Sequence, residues 1–139
     1  MKRFYFAIAF ALTISAPSFA ADGVRGRTIK SNYRWQTCEI SSGRCTSRGA
    51  EINVYIAASG KVFDFTTSAT GNESRLGQTV NGVMFGASGN VFYARAPNVR
   101  VNFTINSGSC TVSAVSFKPT YSAQILSQTC TVVEGPSPK

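Results

Sequence analysis

The sequence predicts a small all-β domain: an antiparallel meander of about eight strands, closed or nearly closed into a barrel, with a two-layer β-sandwich as the alternative. Three observations predict it. Apolar residues recur with period two along most of the chain, and glycine-containing turns punctuate the segments. No stretch shows the 3.6-residue period of an amphipathic helix. Four cysteines are spaced so that each of two hairpins can carry one bridge.

The elements follow in order. GRTIKSNYRWQTCEI (26–40) sets Ile29, Tyr33 and Trp35 among polar neighbours. RCTSRGAEINVYIAA (44–58) puts Ile52, Val54 and Ile56 on one face and Asn53 and Tyr55 on the other. Ser59-Gly60 is a tight turn, after which KVFDFTT (61–67) alternates Phe63 and Phe65 against Val62 and Asp64. ATGNESRLGQ (69–78) lacks alternation and reads as a long loop with one helical turn at Glu73 to Leu76. TVNGVMFG (79–86) resumes the strand pattern, and Ala87 to Asn90 turns into NVFYARA (90–96). Past Pro97-Asn98, VRVNFTI (99–105) places Val99, Val101, Phe103 and Ile105 on one face. NSGS (106–109) turns into TVSAVSF, and Lys118-Pro119-Thr120 turns into SAQILSQT, because Pro119 fixes φ and lacks an amide hydrogen. Gly82, Gly86 and Gly89 read as bulges or tight turns.

The ends bear on the compartment. Lys2 and Arg3 precede an apolar run from Phe4 to Ile14, and Ser18 and Ala20 are small residues at the −3 and −1 positions before Ala21. This is the layout of a cleaved signal peptide over 1–20, and the apolar run is shorter than the roughly 20 residues of a spanning helix. A single β domain over 21–133 and a flexible tail over 134–139 follow. The expected location is the periplasm or the exterior, with no transmembrane segment after cleavage. Loss of Lys2 and Arg3 lowers the formal net charge from +8 to +6.

An exported chain with an even cysteine count is normally bridged. Four cysteines permit three pairings. Cys110 and Cys130 are symmetric about Thr120, and Cys38 and Cys45 flank the turn formers EISSGR, so spacing favours Cys38–Cys45 and Cys110–Cys130. No C-x-x-C occurs, and without histidine a Cys/His metal set cannot be completed.

Histidine-based triads are excluded by composition, because the chain has no histidine. The acids after residue 20 are Asp22, Glu39, Glu51, Asp64, Glu73 and Glu134. They are scattered, where calcium binding wants them clustered and glycoside cleavage wants two across one cleft. Asp64 is the one acid within an apolar strand. No catalytic residue, metal or cofactor is expected. Basic groups interleave with aromatics twice: Arg25, Arg27, Lys30 and Arg34 beside Tyr33 and Trp35, and Arg95 and Arg100 beside Tyr93. On one straight strand Arg25 and Arg27 share a face opposite Lys30 and Arg34. Arg95, Arg100, Tyr93 and Trp35 are therefore the candidate ligand-binding residues.

This coarse pattern resembles that of small exported barrel families, including calycin-type carriers and periplasmic lysozyme inhibitors, with no motif shared residue by residue. The expected function is a non-enzymatic binding module for a small apolar ligand or an anionic envelope component. The alternatives are an inhibitor or interaction protein acting on another exported protein, and an enzyme without histidine chemistry. Nucleic acid is not an expected partner.

Overall fold

The computed structural model describes residues 23–138. The expected signal peptide lies outside the described residues. Ten strands form one antiparallel sheet: β1 (Arg27–Glu39), β2 (Cys45–Ile56), β3 (Lys61–Asp64), β4 (Asn72–Arg75), β5 (Thr79–Val80), β6 (Val83–Ser88), β7 (Val91–Arg95), β8 (Val99–Asn106), β9 (Ser109–Ser116) and β10 (Tyr121–Glu134). Neighbours run β4-β3-β2-β1-β10-β9-β8-β7-β6-β5. Each strand thus pairs with its sequence neighbour, except that the first strand pairs with the last and β4 does not pair with β5. The result is a meander curled into a nearly closed barrel with one unsealed seam, in the middle of the chain between β4 and β5.

The strand count is ten rather than eight, and both extra strands come from the edges of the sheet. Residues 72–75 form β4, not a helical turn, and pair with β3 from Lys61↔Arg75 to Asp64↔Asn72. Asn-Glu-Ser-Arg has no apolar alternation because an edge strand with little burial has no apolar face to show. The single strand expected over 79–86 is two, β5 and β6, folded back at Asn81-Gly82. Both turn residues have positive φ, 52° and 80°, the conformation of a two-residue type I′ hairpin. Gly82 and Gly89 lie in turns as expected. Gly86 lies neither in a turn nor at a bulge; it sits inside β6, paired with Tyr93.

The core is filled by side chains. Phe92, Phe103, Ile29, Ile56, Val24, Val54 and Val62 are fully buried. The rings of Phe85 and Phe92 stack at 5.4 Å, and Tyr33 meets Phe103 edge-on at 5.8 Å. Burial of each such side chain is worth about 1.5–3 kcal/mol relative to exposure. Burial raises the Tyr33 hydroxyl above its ordinary pKa, because the phenolate would be poorly solvated there.

Both disulfides are those expected. Cys38 and Cys45 are register partners at the tip of the β1–β2 hairpin, where the ladder ends. Cys110–Cys130 joins β9 to β10 at a place where backbone pairing is sparse. Thr131↔Ser109 is the one register pair there, and Val132 N–H bonds the Gly108 carbonyl at 2.9 Å. Beyond the bridge the Gln128 amide replaces the ladder: Val112 N–H donates to Gln128 Oε1 at 2.6 Å, and Gln128 Nε2 donates to the Val112 carbonyl at 3.1 Å. Two bridges fit an oxidising compartment. Among the described residues no helix is long and apolar enough to cross a membrane.

β1 and β10 pair along nearly their whole lengths, with a bulge after Arg34 that leaves Leu126 as the extra residue. Pairing reaches Glu134, into the stretch assigned to the tail. Arg27 Nε contacts Glu134 Oε2 at 2.8 Å, and Gly135 N–H bonds the Gly26 carbonyl.

Candidate binding face and barrel mouth

The candidate residues fall on two sides of the sheet. In β7 and β8, Phe92, Val101 and Phe103 face the core, so the alternate residues Tyr93, Arg95, Arg100 and Asn102 face outward. Arg95 and Arg100 are register partners beside the turn at Ala96-Pro97-Asn98. Like charges directly opposed on a sheet repel, and the two side chains diverge. The Arg100 guanidinium lies over the Tyr93 ring, 3.7 Å from its centroid, and its Nε donates to Asn102 Oδ1 at 2.7 Å. The Arg95 guanidinium lies over Phe117, 4.6 Å from the centroid. Each cation is therefore parked on an aromatic face, a contact worth about 0.5–1 kcal/mol at an exposed site.

Phe117 and Val115, both more than two-fifths exposed, extend this face and were not anticipated. The available signal was β9 itself. Val112 faces inward, yet Val115 and Phe117 are large apolar residues at positions of opposite parity, so the strand is apolar on both faces. Among the described residues neither Arg95 nor Arg100 forms an ion pair, whereas Arg27–Glu134, Arg44–Glu39 and Lys61–Glu73 are paired. The chain has no acid between Glu73 and Glu134. β5 to β9, and β10 up to its last residue, thus carry only positive formal charge, from Arg95, Arg100 and Lys118 near this face and Arg75 just before it.

Trp35 is not part of that face. Its parity is that of Ile29 and Tyr33, which point into the barrel, and it packs partly buried against the core. With Thr37, Val99, Ser116, Lys118 and Tyr121 it lines a pocket of about 190 Å³ at the end of the barrel beside the 117–120 turn. Asn98 completes the lining. Lys118 Nζ lies 4.5 Å from the Tyr121 ring centroid. The Tyr121 hydroxyl reaches Glu39 Oε2 at 3.4 Å. Glu39 is also engaged by Ser42 Oγ and lies 4.0 Å from Arg44. Asn98 and Lys118 link mouth and outer face: the Asn98 carbonyl accepts the N–H of Phe117, the residue beneath Arg95.

The first basic–aromatic stretch splits across the sheet, as its parity requires. Arg34 points outward, with Nη2 3.2 Å from Ser47 Oγ. Arg27 is tied to Glu134, and Arg25 Nη1 donates to the Ala58 carbonyl at 2.9 Å. Asp64 borders the unsealed seam, in a recess of about 530 Å³ with Asn72, Ser74, Val80, Val83 and Phe85. Its Oδ1 accepts the Thr66 N–H at 3.0 Å. Glu73 borders the same recess but is paired with Lys61 at 3.3 Å. Among the described residues no three Cys, Asp or Glu groups gather where they could hold a metal ion.

Set beside protein-family models, curated proteins and solved structures, the chain matches none, so its own geometry is what a functional reading can rest on.

Proposed function

We propose that this protein is an exported, non-enzymatic binding module, periplasmic or secreted, whose outer β7–β9 face engages an anionic polymer of the cell envelope. One observation carries the reading: Arg95 and Arg100 are splayed onto Phe117 and Tyr93 in a region that has no acid between Glu73 and Glu134. Stacking holds the guanidinium planes while the Arg95 N–H edges, and the Arg100 Nη groups not used on Asn102, stay available to bidentate carboxylate or phosphate groups. An unopposed positive field also gathers polyanions at the surface. The aromatic packing along the barrel interior favours this face over the interior as the binding surface.

The test is binding of residues 21–139 to polygalacturonate and to a poly(glycerol phosphate) chain, with dextran as the neutral control, across a salt series. Binding of a polyanion that weakens with salt and falls at least roughly tenfold, about 1.4 kcal/mol, in the Arg95→Glu/Arg100→Glu variant supports the reading. Equal binding by wild type and variant, or equal binding of dextran, sinks it.

A second reading, an inhibitor of another exported protein, draws on the exposed Val115 and Phe117 beside Arg95. Arginine and aromatic anchors are the groups that dominate protein interfaces. Its mark is a salt-resistant complex of fixed stoichiometry, recovered from the host envelope and abolished by Phe117→Ala.

A further inference from the structure

We infer that the mouth pocket is a site for one acidic sugar ring, a uronate. The inference rests on the polyanion reading, and it names the class of polymer as an acidic glycan. Four features of the pocket lead to it.

Size is the first. At about 190 Å³ the pocket is below the roughly 300–1,000 Å³ of sites for drug-sized ligands, so it takes a single ring and not an extended molecule. The second is the pair of aromatic side chains, Trp35 and Tyr121, which offer flat apolar surface. The C–H face of a pyranose is the matching shape. Ser116 Oγ is already bonded to the Lys118 N–H and carbonyl, so the third is the polar pair Thr37 and Asn98, a hydroxyl and an amide that both donate and accept. A purely aromatic or alkyl acid would leave these groups without partners on desolvation, and the hydroxyls of a sugar satisfy them. The fourth is Lys118, the one cation of the lining, set over Tyr121. It gives the ring's carboxylate a counter-charge. Glu39, the nearest acid to Tyr121, is engaged by Ser42, Arg44 and Tyr121 itself, so its negative charge is offset.

Placement joins this site to the outer face. Phe117 and Lys118 are consecutive; one lies beneath Arg95, and the other lines the mouth. A polyuronate lying along Arg95 and Arg100 therefore reaches the pocket with its terminal residue by passing over the 117–118 edge. Chain-end recognition and capture of a free monosaccharide share this chemistry.

Trp35 is the chain's single tryptophan, so its emission reports this pocket. Residues 21–139 are titrated with glucuronate, a galacturonate trimer and glucose. The expected result is a saturable change in Trp35 emission with the two uronates, with glucose at least roughly tenfold weaker. Lys118→Gln should bring glucuronate to the level of glucose while leaving the emission of the free protein unchanged. A trimer that binds tighter than the monosaccharide identifies the chain end as the ligand, and equal affinities identify the free sugar. No emission change up to the solubility of the uronates, equal affinity for glucuronate and glucose, or a glucuronate response that Lys118→Gln leaves intact would each overturn the inference. The Arg95→Glu/Arg100→Glu variant separates this site from the face. It should lose the long polymer and keep the monosaccharide response. A polymer bound by the face without any Trp35 response leaves the polyanion reading standing and removes this one.

Discussion

The ring of Tyr93 lies across Gly86. A Cβ placed on Gly86 would fall 2.2 Å from the ring's Cζ and 2.3 Å from its hydroxyl oxygen. Gly86 is not among the glycines with positive φ, so the lack of a side chain serves this approach and not a backbone conformation. Gly86→Ala should therefore cost under about 1 kcal/mol, because the far end of the tyrosine can swing away. The swing takes away the support under Arg100. Polyanion affinity should fall about two- to fivefold, the worth of an exposed cation–π contact of about 0.5–1 kcal/mol. Urea denaturation checks the first figure and calorimetric titration the second.

The two disulfides should differ in worth. Chain-entropy arguments give about 3 kcal/mol for a loop of the Cys110–Cys130 length and slightly less for Cys38–Cys45. Packing widens the gap. Cys110 is 8% exposed and belongs to the core, at a border with one register pair, whereas Cys38–Cys45 closes a hairpin that twelve register pairs already hold. Replacement of Cys110 and Cys130 by alanine should lower stability by about 3–5 kcal/mol, and of Cys38 and Cys45 by about 2–3 kcal/mol. Denaturant midpoints of the two double variants decide the order.

Gln128 acts as two rungs of ladder for Val112. Gln128→Ala strands both backbone groups of a residue only 3% exposed and should cost about 1–3 kcal/mol. Hydrogen exchange offers a local check. The Val112 amide should lose protection by more than the global loss of stability explains.

Tyr33 sets an alkaline limit. Its folded pKa is raised by burial, so above the ordinary tyrosine value of 10.0 the unfolded chain ionises first and binds fewer protons than the native state. Stability is therefore intact below that value and declines as pH rises from it toward the folded pKa. Tyr33→Phe should remove this share of the decline. Denaturation midpoints of wild type and variant at pH 8 and pH 11 make the comparison, and parallel declines in the two proteins would contradict it.

Legibility in the sequence followed burial. β1, β2 and β8 each set their large buried apolar side chains on one side, so alternation at Ile29/Tyr33, Val54/Ile56 and Val101/Phe103 revealed them, and cysteine symmetry about Thr120 found the second bridge. β4 left no such mark, because at the edge none of Asn72, Glu73 or Arg75 is buried. The split of 79–86 did leave one in Asn81-Gly82, a dipeptide suited to tight hairpins. The candidate site was half legible. Tyr93 and Arg95 share parity on one strand, and Arg100 follows on the next strand past the short turn at Pro97-Asn98, so their grouping was foreseeable. Phe117 meets Arg95 across β8, and Trp35 and Tyr121 come to line one pocket through the β1–β10 pairing. Contacts of that range depend on register, which no local pattern records.

Because β1 and β10 are neighbours, the ring of backbone pairing is continuous where the polypeptide is cut and open where the polypeptide runs through. Gly135 already bonds Gly26. A circular permutant that starts at Gln78, ends at Gly77 and joins residue 138 to residue 23 through a short linker would therefore keep every paired strand. The corner at 76–78 would become a pair of free ends, and cargo fused there would hang at the seam.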